Sequence, residues 1–191
     1  MYYERHLPHW QPEGADLFLT WRLYGSLPRT VDIPPGQLAG KAFVATDREL
    51  DRAAFGPRWL KDERVAEAMV AALQYGERQL GLYELQTWVV MVNHVHVLLH
   101  PHAPMAKITK AIKNFSARQA NAILERTGQF WQEESYDRWV RSREELEKIA
   151  RYIEANPVSA GLVERAVDWQ WSSVGQASRP VPGVWPFAPL K

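Results

Sequence analysis

Trp88-Val89-Val90-Met91-Val92-Asn93-His94-Val95-His96-Val97-Leu98-Leu99-His100 reads as β structure that turns back on itself. Branched aliphatic and aromatic residues dominate it, as suits a pleated, half-buried surface. The pattern predicts a strand from about Leu82 to Met91, a turn at Val92-Asn93, and a returning strand that carries the histidines. Side chains alternate along a strand, so His94 and His96 project from the same face. Two neutral imidazoles on a rigid sheet can hold a divalent metal. The same pair also suits two ordinary histidines of a half-buried strand.

The rest of the chain supplies the layers around this hairpin. Leu17 to Tyr24 alternates as a first strand, with Leu17, Leu19, Trp21 and Leu23 on one face. Ser26 to Gly40, with Pro28, Pro34 and Pro35, reads as a loop. Helical signal begins at Asp47, breaks near Gly56-Pro57 and resumes from Asp62 to Leu80. Pro104 to Thr127 reads as helix, Phe130 to Val140 contains a strand, and a further helix follows. This order predicts an α+β fold with a small antiparallel sheet and helices packed on it. The 191 residues suit one domain, spanning 15–175, between an N-terminal arm at 1–14 and a Pro-rich tail at 176–191.

That last helix carries a second constellation. Ser142-Arg143-Glu144-Glu145 is a capping box, and Leu146, Ile149, Ala150 and Ile153 continue as one apolar face. Pro157 is expected to end or kink the helix near Asn156. Tyr152 and Asn156 are four apart, which sets a phenol and a carboxamide on neighbouring turns of one face. A surface tyrosine followed by a C-capping asparagine is the ordinary alternative.

The formal net charge is only +1, so overall charge does not announce a nucleic-acid partner. Its distribution says more. From Pro104 to Arg126 the positive residues are Lys107, Lys110, Lys113, Arg118 and Arg126, against Glu125 alone. The lysines follow one flank of the helix, beside an apolar stripe of Met105, Ile108, Ile112 and Phe115. This is a solvated helix face or a surface that tracks phosphates. The chain has no cysteine, which excludes disulfides, thiolate ligands and a thiol nucleophile, and a reducing cytoplasm fits. No signal-peptide pattern is present, and no stretch reaches the roughly 20 apolar residues of a membrane span.

Taken together, these pieces resemble the single-tyrosine HUH (IS200-like) transposases, and within them the REP-associated tyrosine transposases of bacteria. The resemblance starts at His6-Leu7-Pro8-His9-Trp10-Gln11-Pro12 and Phe18-Leu19-Thr20-Trp21-Arg22-Leu23, and passes through Trp88 to Leu99. It continues with Phe130-Trp131-Gln132 and Tyr136-Asp137-Arg138. It ends with Tyr152-Ile153-Glu154-Ala155-Asn156-Pro157-Val158-Ser159-Ala160-Gly161-Leu162-Val163 and Asp168-Trp169-Gln170-Trp171-Ser172-Ser173. Where the family usually has Met-Pro-Asn-His, this chain has Met91-Val92-Asn93-His94, and Trp21 stands where phenylalanine is more familiar.

The resemblance implies a ferredoxin-like HUH endonuclease core, with the histidine strand central and the tyrosine helix packed across the sheet. It implies His94, His96 and Asn156 as ligands of Mg²⁺ or Mn²⁺, and Tyr152 as nucleophile. The implied substrate is single-stranded or hairpin DNA, a REP palindrome in this family. A phenol has a pKa of about 10, so it ionises far more readily than an alcohol and also leaves more readily. Attack on a phosphodiester therefore yields a 5′-phosphotyrosine that a 3′-hydroxyl can reverse without ATP. Candidate backbone contacts are Arg5, His6 and His9 in the arm, Lys107, Lys110 and Lys113 on the helix flank, and Arg138 and Arg141. The resemblance places the protein in the bacterial cytoplasm, nucleoid-associated when bound, and leaves monomer and homodimer both open.

Rival readings are few. A histidine-triad nucleotide hydrolase needs a third histidine where this chain has Leu98. A metal-dependent nuclease that does not use a tyrosine is a further reading, and Tyr136, on or beside the strand before the helix, is the competing nucleophile. A domesticated, non-catalytic hairpin-binding protein is the alternative of another class, although all four implied active-site residues are present.

Overall fold

A computed structural model of the chain describes residues 14–28 and 39–177. The expected arm with Arg5, His6 and His9, and nearly all of the expected Pro-rich tail, lie outside the described residues. Four strands form one sheet: β1 (Leu17–Arg22), β2 (Tyr83–Val90), β3 (His94–Pro101) and β4 (Tyr136–Trp139). Their spatial order is β2-β3-β1-β4, and every neighbouring pair is antiparallel. The helices are α1 (Ala39–Arg52), α2 (Glu63–Arg78), α3 (Met105–Ile123), α4 (Arg143–Ser159) and the short α5 (Ser173–Ala177). The expected α+β architecture is therefore present. No described helix is long and apolar enough to cross a membrane.

Strand alternation divides the core in two. Leu17, Leu19, Trp21, Val95, Val97 and Leu99 turn to one face, where Val65, Met69 and Leu73 of α2 and Ile108 and Ile112 of α3 cover them. Phe18, Val89 and Leu98 turn to the other, where Ile153, Ile149 and Leu146 of α4 pack on them. The histidine pair belongs to this second face. Met91 N–H donates to the His94 carbonyl at 2.9 Å, which closes the turn at Val92-Asn93 where the sequence places it.

Two helix boundaries differ from expectation. Helix α1 begins at Ala39, so Asp47 lies inside it rather than at its start. An aspartate reads as a start signal when it is taken as solvated; here Asp47 points inward with Phe43 and Leu50. Pro157 does not end α4, which runs to Ser159. The stop is Gly161, in the left-handed region at φ 69°. Gly161 N–H donates to Val158 O at 3.0 Å and Leu162 N–H to Pro157 O at 2.9 Å, the paired bonds of a Schellman ending. Pro157 falls in the last turn, where its missing N–H removes only one ladder bond.

The segment that follows α4 covers part of the outer margin of β2. Val90 N–H donates to Trp171 O at 2.8 Å, and the Trp169 indole donates to Val90 O at 2.9 Å. Ser173 Oγ lies 2.9 Å from Thr87 Oγ1 and accepts from Trp88 N–H at 3.2 Å. Edge strands expose unpaired backbone groups, and the Asp168-Trp169-Gln170-Trp171-Ser172-Ser173 segment occupies those of Trp88 and Val90 in β2.

Candidate active site

Cross-strand register assembles the site. His96, Thr20 and Tyr136 form one row across β3, β1 and β4, and His94 stands opposite Arg22. Directly opposed residues share a face, so all five belong to the layer that α4 covers. His94 and His96 are both 0% exposed.

Hydrogen bonds fix the imidazoles. Asn93 Nδ2 donates to Leu50 O at 3.0 Å, so its Oδ1 faces His94 Nδ1, 2.7 Å away. That oxygen only accepts, so His94 Nδ1 carries the proton and Nε2 presents a bare lone pair. His96 Nδ1 lies 2.7 Å from Thr20 Oγ1. The two Nε2 atoms face each other at 3.1 Å. Two lone pairs at that separation repel, so the gap requires a proton on His96 Nε2 or a cation.

Carboxylates from α1 complete the cluster. Asp47 Oδ1 lies 3.3 Å from His96 Nε2 and 3.8 Å from His94 Nε2, and Asp51 Oδ1 lies 3.6 Å from His94 Nε2. Asp47 is 2% exposed and Asn156 1% exposed. Among the described residues, both Asp47 oxygens, Asp51 Oδ1 and Asn156 Oδ1 are buried without a hydrogen-bond partner. Unsatisfied buried oxygens of this kind are costly, and a divalent cation held by the two imidazoles and Asp47 would relieve part of that cost. Asp47, His94 and His96 have ligand atoms close enough to share one ion, and the donor set suits Mn²⁺ better than the all-oxygen preference of Mg²⁺.

The electrostatics follow from burial. Desolvation pushes the Asp47 carboxyl up, but His96, His94 and the Asn156 amide outweigh it and hold the group below the usual carboxylate range. Asp51 is raised to about 7 by burial and by the Asp47 charge, against the pull of His96. His94 is lowered to about 3, mainly by burial and then by His96, with Asp47 opposing. A neutral His94 is the form a metal needs.

Tyr152 faces this cluster. Its ring centroid lies 5.7 Å from that of His96 at 67° between planes, and the Phe18 and Phe43 rings flank it at 6.5 Å and 6.4 Å. Asn156 follows one turn later on α4, so one helix positions both groups. Tyr136 shares the layer, stacked on Phe43 at 4.1 Å.

The cations are more scattered than the sequence suggests. Lys107 and Lys110 are exposed on α3, which packs on the sheet face opposite the histidines. Lys113 Nζ donates to Gln132 O at 2.7 Å, Glu133 O at 2.9 Å and Ser135 Oγ at 3.2 Å, which pins the segment leading into β4. Burial lowers the Lys113 amine to about 8, with Glu133 opposing. Arg138 pairs with Glu145 and projects from the same sheet face as Phe18. Arg141 is exposed, and its backbone N–H donates to Glu145 Oε2 at 2.8 Å. Sequence reasoning missed Asp47, Asp51 and Arg22. A signal for the first two existed: they stand four apart, in helical phase with Phe43 and Leu50.

Comparison with known proteins gives a family and a fold. A family model described as "Transposase IS200 like" matches residues 58–156, from before α2 to Asn156. Among solved structures, the REP-associated tyrosine transposase bound to a REP hairpin aligns with a TM-score of 0.60 at 17% identity, covering 98% of this chain and 94% of that one. A crystal structure of a proposed transposase from Deinococcus radiodurans R1 aligns with a TM-score of 0.44 at 21% identity, covering 82% of this chain and 98% of that one. No curated protein matches the chain.

Proposed function

The chain belongs to the IS200-like transposase family, and from that premise we propose that it nicks and rejoins single-stranded hairpin DNA through a covalent tyrosine link. The observation that carries this reading is the Tyr152 ring centroid 5.7 Å from that of His96, itself beside buried carboxylate and amide oxygens that lack a hydrogen-bond partner. The solved relative of the same fold was captured with a REP hairpin, which makes a hairpin with an unpaired flank the substrate to test.

In the proposed reaction Tyr152 Oη attacks the scissile phosphorus. The Oη–P bond forms, the P–O3′ bond breaks, the phenolic proton passes to solvent, and the departing 3′ oxygen takes up a proton. The products are a 5′-phosphotyrosine and a free 3′-hydroxyl. The reverse step, with another 3′-hydroxyl as attacker, rejoins DNA and needs no external energy. His94, His96, Asp47 and Asn156 are the residues that would hold a divalent ion. When bound, such an ion neutralises charge on the scissile phosphate and orients it for in-line displacement. Thr20 and Asn93 hold the imidazoles in their tautomers. Phe18 and Phe43 restrict the Tyr152 ring, so the hydroxyl meets its target with little orientational freedom to lose. Arg22, Arg138 and Arg141 would meet the DNA backbone on the layer of Tyr152, and Lys107 and Lys110 would meet it on the far layer.

The test is direct. The protein is incubated with a hairpin oligonucleotide carrying an unpaired flank and Mn²⁺, then denatured and resolved by mass. A covalent protein–DNA adduct is expected, lost in Tyr152→Phe while hairpin binding persists. An adduct that survives Tyr152→Phe and disappears in Tyr136→Phe reassigns the nucleophile, and hairpin binding with no adduct under any condition favours a non-catalytic binder.

A further inference from the structure

Helix α1 is attached to the sheet in an unusual way. Phe43 sits edge-on to Phe18 at 5.6 Å and stacks on Tyr136. Leu50 is buried, and its carbonyl accepts from Asn93. Positions 43, 47, 50 and 51 follow the spacing of a single inward helical face. Two of the four are carboxylates. They point at imidazoles whose Nδ1 atoms are already engaged, and among the described residues their buried oxygens have no hydrogen-bond partner. Two carboxylates that both stand within 3.8 Å of one imidazole nitrogen repel each other, and burial removes the water that would screen them. The seated position of α1 therefore calls for positive charge in the gap. The orphaned Asn156 Oδ1, reaching the same gap from α4, is an independent sign of it.

We propose that the divalent ion itself seats α1: Asp47 binds it beside His94 and His96, Asp51 supplies a second negative charge, and ion uptake and docking of the helix are one event. The consequence reaches the nucleophile. Phe43 is carried by α1 and flanks Tyr152 at 6.4 Å, so the wall of the tyrosine pocket is complete only when the ion is in place. Helix α1 lies outside the span 58–156 that the family model matches. The proposal rests on the cluster being a metal centre, not on the DNA chemistry.

The experiment uses the whole chain, stripped of metal, with Mn²⁺ affinity read by electron paramagnetic resonance and hydrogen exchange followed peptide by peptide. Mn²⁺ is expected to slow exchange of the amides at 43–52 by about tenfold or more while α2 and α3 stay unchanged. Asp47→Asn should weaken Mn²⁺ binding by about tenfold or more and abolish that protection, while unchanged α2 exchange reports an intact fold. The double variant Asp47→Asn, Asp51→Asn should protect α1 without any ion, because the repelling charges are gone. Equal α1 exchange with and without Mn²⁺ in the unaltered protein overturns the proposal, as does undiminished Mn²⁺ affinity in Asp47→Asn. Mn²⁺-dependent protection without any DNA adduct upholds it and defeats only the nuclease reading. Adduct formation without Mn²⁺-dependent protection defeats it alone.

Discussion

Thr20 Oγ1 lies 2.7 Å from His96 Nδ1, buried in the sheet and reaching the ring from the neighbouring strand. Such a bond sets which ring nitrogen is free to bind metal. Thr20→Val keeps the shape and removes the hydroxyl. Mn²⁺ affinity should fall by about 10–100-fold, with far-ultraviolet circular dichroism unchanged. Unaltered affinity would remove His96 from the ligand set.

The two perturbed groups beside the gap give opposite pH dependences in the metal-free protein. Asp51 has a folded pKa of about 7, above its ordinary 3.8, so its contribution to stability is full below about pH 4 and is lost as pH rises through 7. His94, lowered to about 3 from 6.5, contributes fully above pH 6.5 and loses that contribution as pH falls through 3. Urea melts of Asp51→Asn and the unaltered protein should therefore diverge, with the variant gaining relative stability from pH 4 to 7 and holding it beyond. Parallel curves across that range would show that Asp51 does not titrate there.

Helix α3 ends on a strained residue. Glu125 occupies the left-handed region at φ 50°, while Glu125 N–H donates to Ala122 O at 3.2 Å and Arg126 N–H to Asn121 O at 2.9 Å. This is the position where glycine is favoured. Glu125→Gly should raise unfolding free energy by about 0.5–1 kcal/mol, read by chemical denaturation. A loss of stability instead would mean that the glutamate side chain makes up for its backbone.

At Gly175 the segment that follows α4 packs against its own backbone. A Cβ there would lie 1.9 Å from the Trp169 carbonyl oxygen and 2.7 Å from its carbon, which are backbone atoms and cannot rotate aside. Gly175→Ala should cost about 1–3 kcal/mol and release the 169–173 segment from β2 to protease cleavage. Wild-type protease resistance would show that the segment shifts without detaching.

The histidines, Tyr152 and Asn156 were legible because each pair is local: two residues apart on a strand, four apart on a helix. Local periodicity fixes such neighbours before any tertiary contact is known. Asp47 and Asp51 were not, because they meet His94 and His96 only through tertiary docking, and an isolated Asp pair on a helix reads as a solvated face. The α3 lysines show a different limit. Their spacing is regular, but sequence does not say which side of the sheet α3 covers, and it covers the side away from Tyr152. The Pro157 boundary failed because a left-handed glycine four residues later supplied the stronger stop.

The docking of Trp169 to Ser173 along β2 bears on how copies of this chain can associate. With those positions of β2 occupied, the other outer strand among the described residues is β4, only four residues long. A strand from a second copy would thus meet filled positions beside Thr87–Val90 or a margin of four residues, which leaves little backbone to pair with.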